Sequence, residues 1–370
     1  MSDTYSHDQD LMNRLSGKRD EAVRRVEANR ESFWAGFPRE LPAGYALPKW
    51  AIGPFTKYEG NPIFAPDPDG WDCGHFGGGV HNGSVIVKDG VFYYLYRGEF
   101  PMPEEEVIPG TPDYKCDCGL ATSTDGIHWK RVAGPFFRGG GDEVFSFEDI
   151  NVAIHDGRYY MVFNRWDWGT WHDPKRCGAY LAVSDDMIHW EKLGLVFPDA
   201  EIIHRNGAIL QNTRNEAVRV NGKFVMFIND GIIAYSDDMI HWESDRLHSN
   251  FAGGECSFAI CDYDADNPDN VILFTGGANA GRHYAAGEVL FSKKDLKTPI
   301  EWLPRPILAT DPQYPYENCF MVDGVTPNSG WYDTVFFTHI TLHGDKWYAF
   351  YGGSEYYTCL ATAPLKHKPF

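Results

Sequence analysis

Phe147-Glu-Asp-Ile-Asn-Val-Ala-Ile-His-Asp-Gly-Arg-Tyr-Tyr-Met-Val-Phe163, followed after a loop by Ala179-Tyr-Leu-Ala-Val-Ser-Asp-Asp-Met-Ile-His-Trp190, decides the fold of this chain. The first stretch is two β-branched and aromatic runs joined by Asp-Gly, the signature of a tight antiparallel hairpin. The second is a further apolar run closed by a Ser-x-Asp turn and a tryptophan. Working outward, the hairpin turn and its aromatic strand recur in five places: Asp89-Gly-Val-Phe-Tyr-Tyr-Leu-Tyr96, Asp156-Gly-Arg-Tyr-Tyr-Met-Val-Phe163, Asn221-Gly-Lys-Phe-Val-Met-Phe227, Asp269-Asn-Val-Ile-Leu-Phe274 and Gly344-Asp-Lys-Trp-Tyr-Ala-Phe-Tyr351.

The closing signature also recurs. Gly119-Leu-Ala-Thr-Ser-Thr-Asp-Gly-Ile-His-Trp129 and Ile233-Ala-Tyr-Ser-Asp-Asp-Met-Ile-His-Trp242 repeat it, Val289-Leu-Phe-Ser-Lys-Lys-Asp-Leu296 through Trp302 is a looser copy, and Cys359-Leu-Ala-Thr-Ala363 supplies the strand alone. A short antiparallel unit repeated five times protects its sheet edges by closing around an axis, so the expected fold is all-β, a five-bladed β-propeller spanning residues 50–370. Residues 1–49 differ in character. Leu11, Leu15, Val23, Val26 and Phe33 make a helical stripe, and Pro38, Pro42 and Pro48 an extended linker, so an N-terminal helical extension is expected, with homo-oligomer contacts through that helix as one use for it.

Composition narrows the function. The 370 residues carry a formal charge of −19, with 33 Lys and Arg against 52 Asp and Glu, which excludes nucleic acid and anionic membrane as natural partners. An aromatic content of 15% fits a site where sugar faces stack on rings, and equally a packed core. The eight cysteines form neither a zinc-type pair nor a compact disulfide framework. With no signal-like N-terminus and no apolar run of membrane length, a reduced, cytoplasmic protein is expected. His128, His189 and His241 occupy one repeat position; repeat-equivalent outer residues diverge, so they read as turn residues rather than a metal site. No metal or cofactor is called for.

Chemistry in a propeller belongs where the innermost strands begin. Counting back seven residues from each hairpin turn gives Asn82, Asp149 and Arg214 in the first three blades and Glu255 in the fourth, and equal offsets imply equal facing. An amide, two carboxylates and a guanidinium around a channel imply a ligand. Two opposed acids suit glycoside chemistry, one protonating the leaving oxygen and the other activating water or attacking. By the same alternation Glu148 is expected to face the other side of its strand or the neighbouring blade, in support. Arg97, Arg165 and Arg214 are the candidate partners of these acids. Loops add Arg176, Arg205 and Asn206, with Glu317 and Asp323 before the last blade; Arg97, Asn229-Asp230 and Ser354-Glu355 follow the second strands of blades one, three and five.

These motifs resemble glycoside hydrolase family 130, the β-mannoside phosphorylases and β-mannosidases. Tyr94-Leu-Tyr-Arg-Gly98 leading to Gly119–Trp129 is close to the family's wording; Phe147-Glu-Asp149 resembles its Glu-Asp-Pro-Arg element, whose Asp is the family's proton donor. Arg205-Asn206-Gly-Ala resembles its Lys-Asn-Gly-Ala, and Tyr351-Gly-Gly-Ser-Glu355 its terminal Tyr-Tyr-Gly-Ala-x-Asp, whose acid contacts sugar. Here Ile150-Asn151 replace Pro-Arg, Glu355 replaces Asp, and Asp230 stands where the phosphorylases tend to carry His or Tyr for phosphate. Phosphorolysis needs a cationic pocket, and Asp230 beside Arg176 and Arg205 would repel the anion. The resemblance therefore implies a hydrolase of β-mannoside-type oligosaccharides, with Asp149 or Glu317 as acid and Glu255 as base. Asn82, Arg97, Asn151, Arg165, Arg176, Arg205, Asn206, Arg214, Asp230, Asp323 and Glu355 are the expected substrate-binding residues. The alternatives are an inorganic-phosphate-dependent phosphorylase, a sialidase-like enzyme and a non-catalytic sugar-binding propeller.

Overall fold

A computed structural model describes residues 46–370, apart from 108, 110–111, 138–144, 168–172, 202, 230–231, 246–254, 279–283 and 329–332. The expected N-terminal helix, the oligomer contacts assigned to it, and Asp230 lie outside the described residues.

The chain opens on a short strand, β1 (Thr56–Lys57), and then lays down its blades in order. Blade one is β2 (Val80–Lys88), β3 (Val91–Pro101), β4 (Tyr114–Ser123) and β5 (Lys130–Ala133). Blade two is β6 (Phe145–His155), β7 (Arg158–Asp167), β8 (Gly178–Ser184) and β9 (Trp190–Leu195). Blade three is β10 (Ala208–Gln211), β11 (Arg219–Val220), β12 (Lys223–Ile228), β13 (Ile232–Ser236) and β14 (Trp242–Asp245). Blade four is β15 (Glu255–Cys261), β16 (Asn270–Ala278), β17 (Tyr284–Ser292) and β18 (Glu301–Trp302), and blade five is β19 (Val335–His343), β20 (Lys346–Gly353) and β21 (Tyr357–Pro364). The five-bladed propeller is thus present. The outer strand missing from the fifth repeat is supplied by β1, which pairs antiparallel with β21 and closes the ring.

Local chemistry explains the hairpins. Asp89-Gly90, Asp156-Gly157 and Asn221-Gly222 hold both central residues at positive φ (52° and 76°, 48° and 77°, 52° and 85°), the turn whose twist matches paired strands and which Asp-Gly and Asn-Gly tolerate best. The Ser-x-Asp turns are equally local. Ser184 Oγ accepts the Met187 amide at 2.9 Å, and Asp186 Oδ1 accepts those of Ile188 and His189 at 2.8 Å. His128, His189 and His241 each meet the aspartate of their own turn at 2.7 Å and stand in solvent, so they do not converge.

Apolar faces pack between blades, as where Phe274 of blade four stacks on Phe337 of blade five at 4.6 Å. Along the axis the inner strands run parallel, with Leu210 in register with Ala259. A polar clasp joins three of them to the turn after β10: Ser84 Oγ meets His339 Nδ1 at 3.0 Å and accepts the Val152 amide at 3.1 Å, and Asn215 meets His339 Nε2 at 3.1 Å. Burial pushes His339 down to about 3, so it serves this clasp as a neutral ring.

Candidate active site

At one end of the axis the inner strands break register. Shifts fall between His81 and Ser84 in β2, Glu148 and Asn151 in β6, Cys256 and Phe258 in β15, and Phe337 and His339 in β19. Asn82, Asp149 and Asn206 adopt φ of 47°, 52° and 54°. Such bulges re-aim side chains that plain alternation would send elsewhere. They line a small cavity with Asn82, Asp149, Asn151, Asn206, Ser257 and Thr338 on its wall.

Asp149 is held from two sides. Asn82 Nδ2 donates to its Oδ1 at 3.0 Å and Asn164 Nδ2 to its Oδ2 at 2.9 Å. Asn164 is itself fixed, because its Oδ1 accepts the Asn206 amide at 2.8 Å. Burial and then the charge of Glu148 raise the Asp149 carboxyl above its usual range, against the pull of Arg97, Arg205 and Asn82. Glu255, the first residue of β15, is pushed up to about 8 by burial and by Asp149, with Arg205 opposing; the Arg205 guanidinium lies 3.5 Å from Glu255 Oε1 and 5.9 Å from the centre of the Trp166 ring. The titration of Glu255 therefore depends on the charge carried by Asp149.

Glu355 follows β20 at φ 59°, and burial raises it while His81 and Arg97 pull it down. Glu148 accepts Arg97 at 3.1 Å and the Trp166 indole at 2.8 Å. It thus reaches across to blade one, the supporting position expected of it.

The structure brings together Asn82, Asp149, Glu255, Glu355, Arg97, Arg205 and Asn206. Asn151 lines the same cavity, its Oδ1 accepting from Ile209 and Gln211 at 3.2 and 3.3 Å. Arg214 is a correction. It is 66% exposed, pairs with Glu216 at 2.8 Å, and sits beside the Asn215 and Glu216 backbones that pair with Ile154, five residues along β6 from Asp149, about 16 Å at strand rise. The third blade carries an extra turn, closed by Asn212 accepting the Asn215 amide, so the seven-residue count lands short of the inner strand. The repeat-equivalent residue is Asn206.

Glu317 is fully buried and engaged by Lys57 Nζ at 2.6 Å, Tyr351 hydroxyl at 2.8 Å and the Asp311 amide at 2.9 Å. It anchors β1 to the last blade and is not brought to Asp149. Asp323 is exposed and closes its own turn by accepting the Val325 and Thr326 amides at 2.8 Å. Arg165 donates to the Arg176 carbonyl at 3.0 Å and lies over Tyr180, and Arg176 pairs with Asp167, contacts that all fall within blade two.

Asn164, His81 and Glu99 were not singled out from sequence. Asn164 had a signal: it directly follows the Tyr-Tyr-Met-Val-Phe strand, the place held by Arg97 and Asn229 in neighbouring repeats. Four buried polar atoms on the cavity wall have no hydrogen-bond partner among the described residues, namely Asn82 Oδ1, Asn151 Nδ2, Asn206 Nδ2 and Ser257 Oγ. Mixed donors and acceptors of this kind suit a neutral, hydroxyl-rich ligand.

Comparison with known proteins agrees. A glycoside hydrolase family 130 model, described as beta-1,4-mannooligosaccharide phosphorylase, matches residues 111–367. A putative glycoside hydrolase from Parabacteroides distasonis is similar in structure at 23% identity and a TM-score of 0.69, covering 87% of this chain and 99% of its own. The beta-1,2-mannobiose phosphorylase from Listeria innocua is similar at 18% identity and a TM-score of 0.63, covering 84% and 97%. A third structure, from the family of mannoside phosphorylases that contains glycoside hydrolases targeting beta-1,2 mannosidic linkages in Candida mannan, is similar at 23% identity and a TM-score of 0.69, covering 88% and 98%.

Proposed function

The chain belongs to glycoside hydrolase family 130, a family of glycoside-active enzymes, and from that premise we propose that it hydrolyses β-mannosides, with Asp149 as proton donor and Glu255 as base. The observation that carries this reading is the pair itself, Asp149 on the wall of the axial cavity and Glu255 directly before Cys256 of the same wall, with the Glu255 carboxyl raised by burial and by the Asp149 charge. Asn82 donates to Oδ1 of Asp149 and Asn164 to Oδ2, and together they hold the carboxyl in place while it carries its proton. As the glycosidic bond breaks, that proton passes to the leaving oxygen, and Asn82, 3.0 Å away, donates to the carboxylate that remains. Glu255 takes a proton from the attacking water, whose oxygen forms the new bond to the sugar carbon.

Charge favours water over phosphate as the acceptor. Arg97 is engaged by Glu99 at 2.6 Å and Glu148 at 3.1 Å, Arg176 by Asp167, and Arg205 faces Glu255. A phosphate dianion would enter beside Glu148, Asp149, Glu255 and Glu355, which Coulomb repulsion opposes. Turnover of β-1,2- and β-1,4-linked mannobiose should proceed in phosphate-free buffer and release free mannose. Strict dependence on inorganic phosphate with release of mannose 1-phosphate would overturn hydrolysis and establish the second reading, a β-mannoside phosphorylase.

A further inference from the structure

Outside the acid pair the most unusual group is His81, a histidine of β2 with no exposure, one ring nitrogen of which has no hydrogen-bond partner. Its Nε2 lies 3.0 Å from Glu99 Oε1 on β3, and Glu99 also receives Arg97 at 2.6 Å and His75 Nε2 at 2.6 Å from the loop before β2. Three cationic or donor groups hold Glu99 ionised, far below the usual carboxylate range despite its burial. His81 Nε2 must therefore carry a hydrogen. Its Nδ1 faces Glu355 Oε2 at 3.7 Å, in the turn between β20 and β21. A neutral ring would set a bare lone pair against that carboxylate, whereas a second N–H would meet it favourably.

We propose that His81 is a positioning residue of the site, an imidazolium that links Glu99 to Glu355 and holds Glu355 as an ionised acceptor for a hydroxyl of the bound sugar; this rests on the glycosidase reading above. Every charged group around the ring enters the balance. Glu355 and Glu99 favour its protonation, Arg97 and burial oppose it, and the net direction is upward. Through Arg97 and Glu148 the same chain of charges continues to Asp149, so the sugar-binding wall and the proton donor share one electrostatic frame.

The test uses the full chain and begins without a ligand. The imidazole titration of His81, followed by NMR in wild type and Glu355→Gln, should move to lower pH in the variant; an unmoved titration overturns the proposal, whatever the enzyme's acceptor. The kinetic arm uses His81→Asn, whose amide stands near the Nδ1 position, and His81→Gln, whose amide stands near Nε2. H81Q should raise KM for mannobiose by about 10- to 100-fold, the loss of one hydrogen bond to a charged group, with kcat within about 3-fold, while H81N stays closer to wild type. Wild-type KM should rise as pH passes upward through the His81 titration, and H81N should lack that limb. Equal KM values and equal pH profiles in all three proteins would also overturn it. Should H81Q fail to fold, the Glu355→Gln titration still decides.

Discussion

Asn164 Nδ2 donates to Asp149 Oδ2 at 2.9 Å while Asn164 Oδ1 accepts the Asn206 amide at 2.8 Å, so the backbone leading into blade three fixes the amide that holds the blade-two acid. Asn164→Ala should lower kcat by about 10²-fold through misplacement of the acid. It should also cost about 1–3 kcal/mol of stability, since the buried Asn206 amide loses its acceptor. Urea denaturation and steady-state kinetics on the same preparation separate the two.

Asp149→Asn should reduce kcat by about 10²- to 10⁴-fold. Because the Asp149 charge raises Glu255, its removal should also lower the Glu255 titration, read by carboxyl NMR of glutamate-labelled protein. A Glu255 titration unchanged by D149N would show that the two acids are not coupled.

Arg205 pulls both acids down. Arg205→Ala should therefore move the alkaline limb of the kcat/KM profile to higher pH, because each carboxyl then holds its proton to higher pH. A shift to lower pH would contradict this arrangement of charge.

Glu317→Gln should leave turnover per folded molecule unchanged and cost about 3–5 kcal/mol, since it strips the counter-charge from Lys57 in a pair that fastens the closing strand. Lost turnover with unchanged stability would return Glu317 to the chemistry.

Glu288 is buried, its Oε2 accepting the Ile52 amide at 3.2 Å, and burial raises it well above the usual carboxylate range. The folded protein thus holds a proton that the unfolded chain releases near pH 4.5. This contribution is complete below that pH and declines as pH rises toward the folded value. Glu288→Gln should match wild type at pH 4 and become the more stable protein toward pH 8, the gap widening by up to about 1.4 kcal/mol per pH unit, as read by urea titrations across that range.

Much of this was legible in the sequence. The Asp-Gly and Asn-Gly turns, the aromatic strands and the Ser-x-Asp turns are local, encoded within a few residues of themselves, so the five blades and the turn role of His128, His189 and His241 followed from repetition alone. Asp149 and Asn82 were found for the same reason, since their distance from a hairpin turn is set by one strand. Counting failed for Arg214, where an inserted turn in blade three broke the spacing that the other repeats keep.

What only the tertiary structure decided depends on groups far apart in the chain. β1 as the missing strand of blade five, Glu317 as the anchor of Lys57, and the Glu99–His81–Glu355 line join residues by closure of a ring, and no local pattern marks them. The same holds for the acid pair. The sequence by itself determined that two carboxyls stand at matching strand positions of a propeller; burial and the charge of Asp149, which reach Glu255 only in the closed ring, decided that the Glu255 carboxyl is raised.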